Sequence, residues 1–435
     1  MTADKEQPPR LPKDHGHPNQ PPINSDSRDG TPRIGQIIAM AAIGLFSLFS
    51  YEIARPTIKT LFQQSYGAEN EPWAWIGMGI AVTLVVMLYG KAAQRHTLNA
   101  LGVRTILLII ATLSILTCGV ALQLPGAVFL LYIWKDIYIV LIIELFWSFA
   151  NSSLKFNSAK WLYGGYCFLG GIGAALGGTV AMELGKIEFG LLNSLIFVFI
   201  PLLLCAVCPR FCPKIARSNA QEKPSLVAGF KTVRDSAYLG LLLSVIVLSQ
   251  ICITLVDYDF SVLFQTLYTD KSVRQTELAS VYRWINLSAM GLQIVTGFIL
   301  VMLRLKGTLV SIPTVLGSAI ALFLLAPTLG LSVVGIMVFT KIASKAMDYS
   351  IFRATKELLY LPLSVKERVE GKAVVDVMGY RVAKAAASAL VLFVTPLVTV
   401  PYVSSMMALF LSVIWCTLVV RLVSRHAQLT AGDHS

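Results

Sequence analysis

Long apolar runs separated by short polar stretches dominate the chain from residue 34 to residue 423. Each run has about eighteen residues or more, which is enough to cross a hydrocarbon core of roughly 30 Å as an α-helix. The pattern therefore predicts an all-α membrane protein of about twelve transmembrane helices. We expect these helices at 34–54, 73–90, 103–123, 127–150, 161–184, 189–208, 237–257, 279–303, 307–327, 329–352, 372–397 and 402–423.

A polar and basic stretch at 209–235 interrupts this series after the sixth helix. It predicts a cytoplasmic linker between an N-terminal bundle at 34–208 and a C-terminal bundle at 236–424. Residues 1–33 are rich in Pro, Asp, Asn and Lys, so we expect a disordered cytoplasmic tail there, and a second tail at 425–435. Two six-helix bundles joined by a basic loop are typical of a major facilitator-like fold with pseudo-symmetric halves.

The ends of the first and seventh helices resemble each other. The first reads SYEIARPTIKTLFQQSYGAENEPWAW and the seventh reads DYDFSVLFQTLYTDKSVRQTELASVYRW. Both pass from an acidic aromatic segment through Leu-Phe-Gln and a Tyr to a Trp in the next helix. Because the match falls at equivalent positions of the two halves, it indicates a duplicated unit, and we expect these helices to flank a central path.

Composition and charge support a membrane location. The chain is 55% hydrophobic and 14% charged, whereas soluble domains carry roughly 25% charged residues. Of 36 Lys and Arg, 25 fall on the side that holds both termini and 6 in the opposite loops. Basic loops stay in the cytoplasm, so we expect both termini there and the protein in a membrane that faces the cytoplasm. The net charge of +12 then reports topology, and it predicts no nucleic-acid polymer as a partner.

Ionisable side chains inside the predicted helices carry the candidate chemistry. A charge at the centre of a lipid-facing helix costs roughly 2.5–3.5 kcal/mol, so these side chains must face the bundle interior or water. At about 100° per residue, Lys341, Lys345 and Asp348 share one helix face, and so do Arg381 and Lys384. Cations outnumber carboxylates on these two helices, which predicts a site for a multivalent anion.

These charges give two sets of candidate site residues. We expect the substrate-binding residues to be Arg55, Lys59, Lys135, Lys341, Lys345, Arg381 and Lys384. We expect the gating or coupling residues to include Glu52, Asp136, Glu144, Asp257, Asp259, Arg283, Asp348 and Asp376. The alternative interpretation is that the same charges form structural ion pairs that hold the two halves together.

Three segments resemble the ATP/ADP translocase (nucleotide transporter) family of obligate intracellular bacteria and plastids. They are FSYEIARPTIKTLFQQSYGAENEP, YIWKDIYIVLIIELFWSFANSS followed by AKWLYG, and KAMDYSIFRATKELLYLPLSVKERVEGKAVVDVMGYRVAKAAASAL. The resemblance implies a major facilitator-like exchanger in which buried cations engage phosphates. It adds Lys356 and Glu357 to the gating or coupling residues.

The resemblance is incomplete in the first helix. The family pattern Arg-Asp-x-Lys-Asp is replaced by Arg55-Pro56-Thr57-Ile58-Lys59, so the second basic residue is displaced by one position. The segment LVDYDF at 255–260 is similar to shorter, divergent bacterial relatives of the family. The resemblance therefore implies the family and leaves open whether the substrate is ATP/ADP.

Transport of an organic anion, a nucleotide or another phosphorylated metabolite, is the function that this pattern favours. Alternating access and exchange need only the lipid bilayer, the anion and a co- or counter-transported ion or proton as partners, and we expect a monomer. The alternative is a proton-coupled permease or exporter of a different solute, although the facilitator loop motif Gly-x3-Asp-x2-Gly-Arg-Arg is absent at GKAAQRHTLNALGVRT.

Enzymatic function is not expected. The sequence has no HExxH, GxSxG or GxxxxGK[ST] motif and no Cys/His metal array. None of the five histidines falls within a predicted helix. We therefore expect no enzyme, no cofactor and no metal.

Overall fold

The computed structural model describes residues 34–153, 156–212, 226–398 and 400–432. The predicted tail at 1–33, residues 213–225 of the predicted linker and the last three residues of the second tail lie outside the described residues. Every regular element within the described ranges is helical.

Two sets of helices follow the predicted order. The first half contains α1 (Ile34–Tyr66), α2 (Glu71–Arg95), α3 (Leu98–Ala121), α4 (Ala127–Ser153), α5 (Phe156–Lys186), α6 (Leu191–Ser194) and α7 (Ile196–Val207). After the short helix α8 (Leu226–Asp235), the second half contains α9 (Ala237–Leu267), α10 (Lys271–Leu325), α11 (Val333–Met347), α12 (Arg353–Leu359), α13 (Val365–Ala373), α14 (Tyr380–Val394) and α15 (Val403–Gly432). Two π-helical turns join α11 to α12 and α13 to α14; they are Asp348–Phe352 and Val374–Gly379.

The described chain has nine helical stretches that are long and apolar enough to cross a membrane. One of them, α10, bends at Arg304 (φ 54°, ψ 173°) into two arms, which correspond to two predicted helices. The charge-bearing α4 and the 15-residue α11 supply the other two crossings. The predicted all-α membrane fold is therefore confirmed.

Two helices extend well beyond their predicted ends. α1 continues from the predicted end at 54 to Tyr66, and α9 continues from 257 to Leu267. Several polar residues of both extensions, such as Lys59 and Gln63 of α1 and Ser261 of α9, are buried and hydrogen-bonded. Average hydropathy cannot anticipate such burial. α15 is also longer than predicted, so that His426 is helical, contrary to expectation.

Small residues allow α5 to lie close to α1. A Cβ at Gly173 would lie 2.2 Å from the carbonyl oxygen of Leu45, and one at Gly177 would lie 2.3 Å from that of Phe49. Only glycine fits this approach of two helix backbones. The glycine-rich face thus fixes α1, whose inner surface borders the space between the halves.

Two helix pairs make the main contacts between the halves. α5 packs against the first arm of α10, and α2 packs against α14. α1 also contacts α10. These pairs leave a space between the halves that α1, α4, α9 and α11 border.

Candidate functional site

A cavity of about 410 Å³ lies between the two halves. Small-molecule sites commonly have volumes of about 300–1,000 Å³. Helices of both halves form its wall, and the charged side chains that line it are Arg55, Lys59, Lys135, Asp136, Asp257, Lys341, Lys345, Asp348, Arg353, Arg381 and Lys384.

The cavity brings together all seven of the predicted substrate-binding cations. It also contains Arg353, which sequence reasoning missed, and three of the predicted gating or coupling carboxylates. Eight cationic side chains therefore face three carboxylates among the residues that line it. Because the surrounding protein has a low dielectric constant, this surplus attracts anions strongly.

The first-half cations are each paired with a carboxylate. Arg55 donates to Glu52 at 3.3 Å, and its guanidinium carbon lies 3.9 Å from the ring centre of Tyr282. Lys135 donates to Asp136 at 2.8 Å. Glu52 does not line the cavity and lies behind Arg55, where it is 3% exposed.

The second half arranges its charges differently. Lys341 and Lys345 both form salt bridges with Asp257, and the Lys345 Nζ lies 2.9 Å from an Asp257 carboxylate oxygen. Asp348 accepts a hydrogen bond from Gln250 at 2.9 Å. The Asp257 carboxylate thus pairs with two lysines, whereas the Asp348 carboxylate has the Gln250 side-chain amide as its partner.

Arg381 and Lys384 form no salt bridge within the described part of the chain. Arg381 donates to Thr83 at 3.1 Å, across the contact between α14 and α2. Lys384 lies 3.9 Å from the sulfur of Met78, and its ammonium lies 5.4 Å from the ring centre of Trp75. Arg353 also has no salt bridge among the described residues, but Arg381 and Lys384 in addition reach the first-half wall, so they are the cavity cations best placed to receive an external anion that contacts both halves.

A polar cluster closes the end of the cavity at which α1 and α9 finish. Lys59 donates to Glu71 at 2.9 Å and to Ser261 at 2.5 Å, and Glu71 is fully buried. Gln63 donates to the second oxygen of Glu71 at 2.8 Å. Gln265 donates to the backbone carbonyl of Gln63 at 3.2 Å and accepts from a backbone N–H at 2.5 Å. We call these five residues the clasp; they join the two halves.

Glu71 is a site residue that sequence reasoning missed. It is the first residue of α2, and the positive end of the helix dipole stabilises a carboxylate at that position. Its position in the repeated segment, between the Leu-Phe-Gln and the Trp, is the sequence feature that could have identified it. Lys59, predicted to bind substrate, has two internal partners at the cavity's closed end.

Aromatic side chains that were not predicted as site residues line the same cavity. The Trp75 indole N–H donates to the Tyr132 hydroxyl at 3.1 Å, and the Tyr51 hydroxyl donates to Asp136 at 2.8 Å. The other aromatic residues of the lining are Tyr282, Tyr349 and Tyr380. Their rings offer flat apolar surfaces beside the cations.

The structure places the other gating or coupling candidates away from the lining. Asp259 accepts from the Ser405 backbone N–H at 2.7 Å at the start of α15, and Glu144 is an exposed residue of α4. The Arg283 backbone and Cβ pack near Gly178.

Three predicted residues of the second-half motif, Lys356, Glu357 and Asp376, also lie outside the cavity lining. Lys356 donates to Asp376 at 2.9 Å, and Glu357 pairs with Lys372 at 2.5 Å. The Tyr360 hydroxyl donates to the same Asp376 carboxylate at 3.0 Å. These contacts join α12 to α13 and the π-helical turn, so they organise the second half internally.

Comparison with known proteins places this geometry in a family context. A family model described as TLC ATP/ADP transporter matches residues 207–428. The chain is 27% identical over 299 residues to ADP,ATP carrier protein 5 of Rickettsia felis, and this alignment covers 58% of each protein. It is 24% identical over 298 residues to ADP,ATP carrier protein 1 of Chlamydia trachomatis, which covers 59% of the chain and 56% of that carrier. The alignment thus spans under two thirds of these relatives' length.

The fold is also found in solved transporters. A crystal structure of a mutant nucleoside transporter NupG superposes with a TM-score of 0.65 at 12% identity, over 91% of the chain and 99% of that protein. At that identity the likeness establishes the major facilitator-like fold alone.

Proposed function

We propose that this chain, which belongs to the TLC ATP/ADP transporter family, carries a multivalent organic anion across a bacterial inner membrane. Nucleotides are the first candidates, because the curated relatives are named ADP,ATP carriers, and other phosphorylated metabolites come next. The observation that carries this proposal is the cavity between the halves, in which eight cations face three carboxylates.

Arg381 and Lys384 are the residues that we assign to the phosphates of the substrate. Both lie on α14, one turn apart, and neither has a carboxylate partner in the described chain. A hydrogen bond to a charged partner contributes about 1.5–3 kcal/mol, and a phosphate offers several acceptor oxygens to each cation. The two side chains reach across to α2, so an anion bound there contacts both halves.

The aromatic lining favours a nucleotide over a simple phosphorylated metabolite. Trp75 and Tyr132 form a hydrogen-bonded pair on the first-half wall of the cavity. Stacking of a base on an aromatic side chain contributes about 1–3 kcal/mol. A ligand with a planar base and a phosphate tail would use both the rings and the cations.

The closed clasp supports alternating access, because a carrier of this kind opens its two faces in turn and the clasp holds one of them shut. We infer that both termini are cytoplasmic, so that α1 and α9 end at the outer face and the clasp is the outer gate. Opening that face separates Lys59 from Ser261 and Gln63 from Gln265. The empty cavity resists reorientation because of its charge, whereas an anion neutralises it, which favours exchange of one anion for another.

Reconstitution in liposomes tests this function. We expect labelled ATP or ADP to enter vesicles that contain purified protein and unlabelled nucleotide, and to enter poorly without internal nucleotide. Arg381→Ala and Lys384→Ala should each lower uptake at least tenfold, since each removes an unpaired cation from the cavity. Lys186→Ala is the matched control, because Lys186 is half-exposed on α5 and pairs only with Glu183.

Three outcomes would change the proposal. Normal uptake by both cavity variants contradicts the assignment of the anion site. Uptake that needs a proton gradient rather than internal nucleotide favours the proton-coupled alternative, in which Asp136, Asp257 or Asp348 would carry the proton. Conversion of the nucleotide to a new product would establish an enzyme.

A further inference from the structure

Two lysines share one carboxylate at the wall of the cavity. Lys341 and Lys345 stand four residues apart on α11, and Asp257 of α9 pairs with both. Elsewhere in the cavity, Arg55 has its own partner in Glu52 and Lys135 has its own in Asp136. We call Asp257, Lys341 and Lys345 the triad.

The three members of the triad differ in their access to the cavity. The Lys341 side chain is 3% exposed, and its ammonium lies 5.0 Å from the ring centre of Phe260. The side chains of Lys345 and Asp257 are 14% and 17% exposed. An incoming anion can therefore reach Lys345 more readily than Lys341, which is the more deeply buried of the two lysines.

From this geometry, and resting on the function proposed above, we propose that Asp257 is an internal competitor of the transported anion for Lys345. It sets the affinity of the cavity for multivalent anions. Asp257 forms a salt bridge with the lysine that the ligand needs, so a ligand binds Lys345 only by displacing the Asp257 carboxylate from it. A carrier must release its cargo, and this competition limits how tightly the anion is held.

Charge arithmetic gives the inference its test. With both lysines protonated, the triad carries one net positive charge in the wild type, two in Asp257→Asn, none in Lys345→Gln, and one again in the double variant. Affinity should follow that net charge and not the number of substitutions. We expect a change on the order of tenfold in Kd per unit of charge for a triply charged ligand, where tenfold corresponds to about 1.4 kcal/mol.

Inorganic phosphate, pyrophosphate and tripolyphosphate are the probes, because they vary charge without a nucleoside. Binding to purified full-length protein is measured by calorimetry at fixed ionic strength, together with the melting temperature of each variant. We expect tripolyphosphate affinity to be lowest in Lys345→Gln, equal in the wild type and the double variant, and highest in Asp257→Asn. The differences should grow from phosphate to tripolyphosphate.

The outcomes separate this inference from the proposed function. Affinity that falls in every variant alike, without recovery in the double variant, shows a structural role and overturns the competitor assignment. Absence of polyphosphate binding in both the wild type and Asp257→Asn also overturns it. If Asp257→Asn does not fold, the order of tripolyphosphate affinity among the wild type, Lys345→Gln and the double variant still tests the competitor assignment. Failure of ATP and ADP to bind beside normal polyphosphate binding counts against nucleotide transport alone.

Discussion

The ends of α1 and α9 share a repeated sequence pattern, but they carry charges of opposite sign at one equivalent position. The Leu-Phe-Gln of α9 follows that of α1 by 202 residues, and the same spacing separates Lys59 from Ser261 and Gln63 from Gln265. Both of these pairs are in direct contact. The two copies of the repeat therefore meet at equivalent positions, and the duplicated backbone fixes where the halves touch.

The difference lies in the charges that the two copies display. Arg55 and Asp257 are also 202 residues apart, yet one is a cation held by Glu52 and the other is an anion that holds Lys341 and Lys345. The repeat thus determines position, whereas the local partners determine which sign of charge is tolerated. Each prediction below tests one part of that statement.

Exchanging the two charges should have the largest effect. In the double variant Arg55→Asp with Asp257→Arg, a carboxylate faces Glu52 and a guanidinium faces two lysines. Each like-charge contact at 4 Å costs about 4 kcal/mol at an effective dielectric constant of 20. Together they approach the total stability of a domain, about 5–15 kcal/mol. We expect no monodisperse protein in size-exclusion chromatography after extraction from the membrane.

The control for this exchange keeps both signs. Arg55→Lys with Asp257→Glu preserves each ion pair and should yield folded protein. If the exchanged variant folds and transports as well as this control, position within the repeat decides the charge pattern and the local partners do not.

Removing the carboxylate of the clasp should have the next largest effect. Glu71→Ala leaves Lys59, which is 5% exposed, without its counter-charge, and the loss of one partner of a buried pair costs about 3–5 kcal/mol. We expect a lower melting temperature in detergent. Glu69→Ala is the matched control, because Glu69 lies two residues away, is exposed and forms no salt bridge in the described chain. Equal melting temperatures for the two variants would show that Lys59 is not held by Glu71.

The twelve-helix fold could be predicted from the sequence because most crossings are long apolar runs, and the charge-bearing α4 and α11 keep enough apolar residues around their charges to fit the same pattern. The helical spacing of Lys341 and Lys345 also predicted that they share a face, and they meet at one carboxylate. The continuation of α1 to Tyr66 could not be predicted from hydropathy. Its polar residues are satisfied by partners from α2 and α9, and those partners become neighbours only after folding.

The sequence predicted which cations line the cavity, and it did not predict their pairings. Charge inside the membrane singled out the cavity cations, since each must avoid lipid. The identity of each partner depends on distances between helices, so the contacts of Lys59 with Glu71 and Ser261 were not predicted. Lys59 lines the cavity and also belongs to the clasp, so its role in substrate binding stays a prediction beside the role that we propose for it in the gate.

Loss of the Ser261 hydroxyl should have a smaller effect than loss of Glu71. Ser261→Ala removes one hydrogen bond from Lys59, which keeps its salt bridge, so we expect a loss of about 1.5–3 kcal/mol in the contact between the halves. In the proposed transport cycle this contact exists only while the outer face is closed, so outward-facing carriers should become more populated. The rate at which a membrane-impermeant thiol reagent labels a cysteine placed in the cavity would measure this. Thr266→Ala is the control, since among the described residues the Thr266 hydroxyl donates only to the Val262 carbonyl of its own helix. An unchanged labelling rate in Ser261→Ala would remove Ser261 from the gate.

The smallest predicted effect concerns the residues that follow the two copies. Asp270 caps α10 by accepting from the N–H groups of Ser272 and Val273, both at 2.8 Å, whereas Asn70 makes no side-chain cap for α2. Loss of an N-cap costs about 0.5–2 kcal/mol, so Asp270→Ala should lower the melting temperature slightly and Asn70→Ala should lower it less. The Asn70 side chain donates instead to the Tyr66 carbonyl at 2.6 Å, back into α1. The two copies therefore begin their next helix by different means, since α10 has a side-chain cap and α2 has none. If Asn70→Ala proves the more costly change, the turn after α1 depends on that backward hydrogen bond more than the turn after α9 depends on its cap.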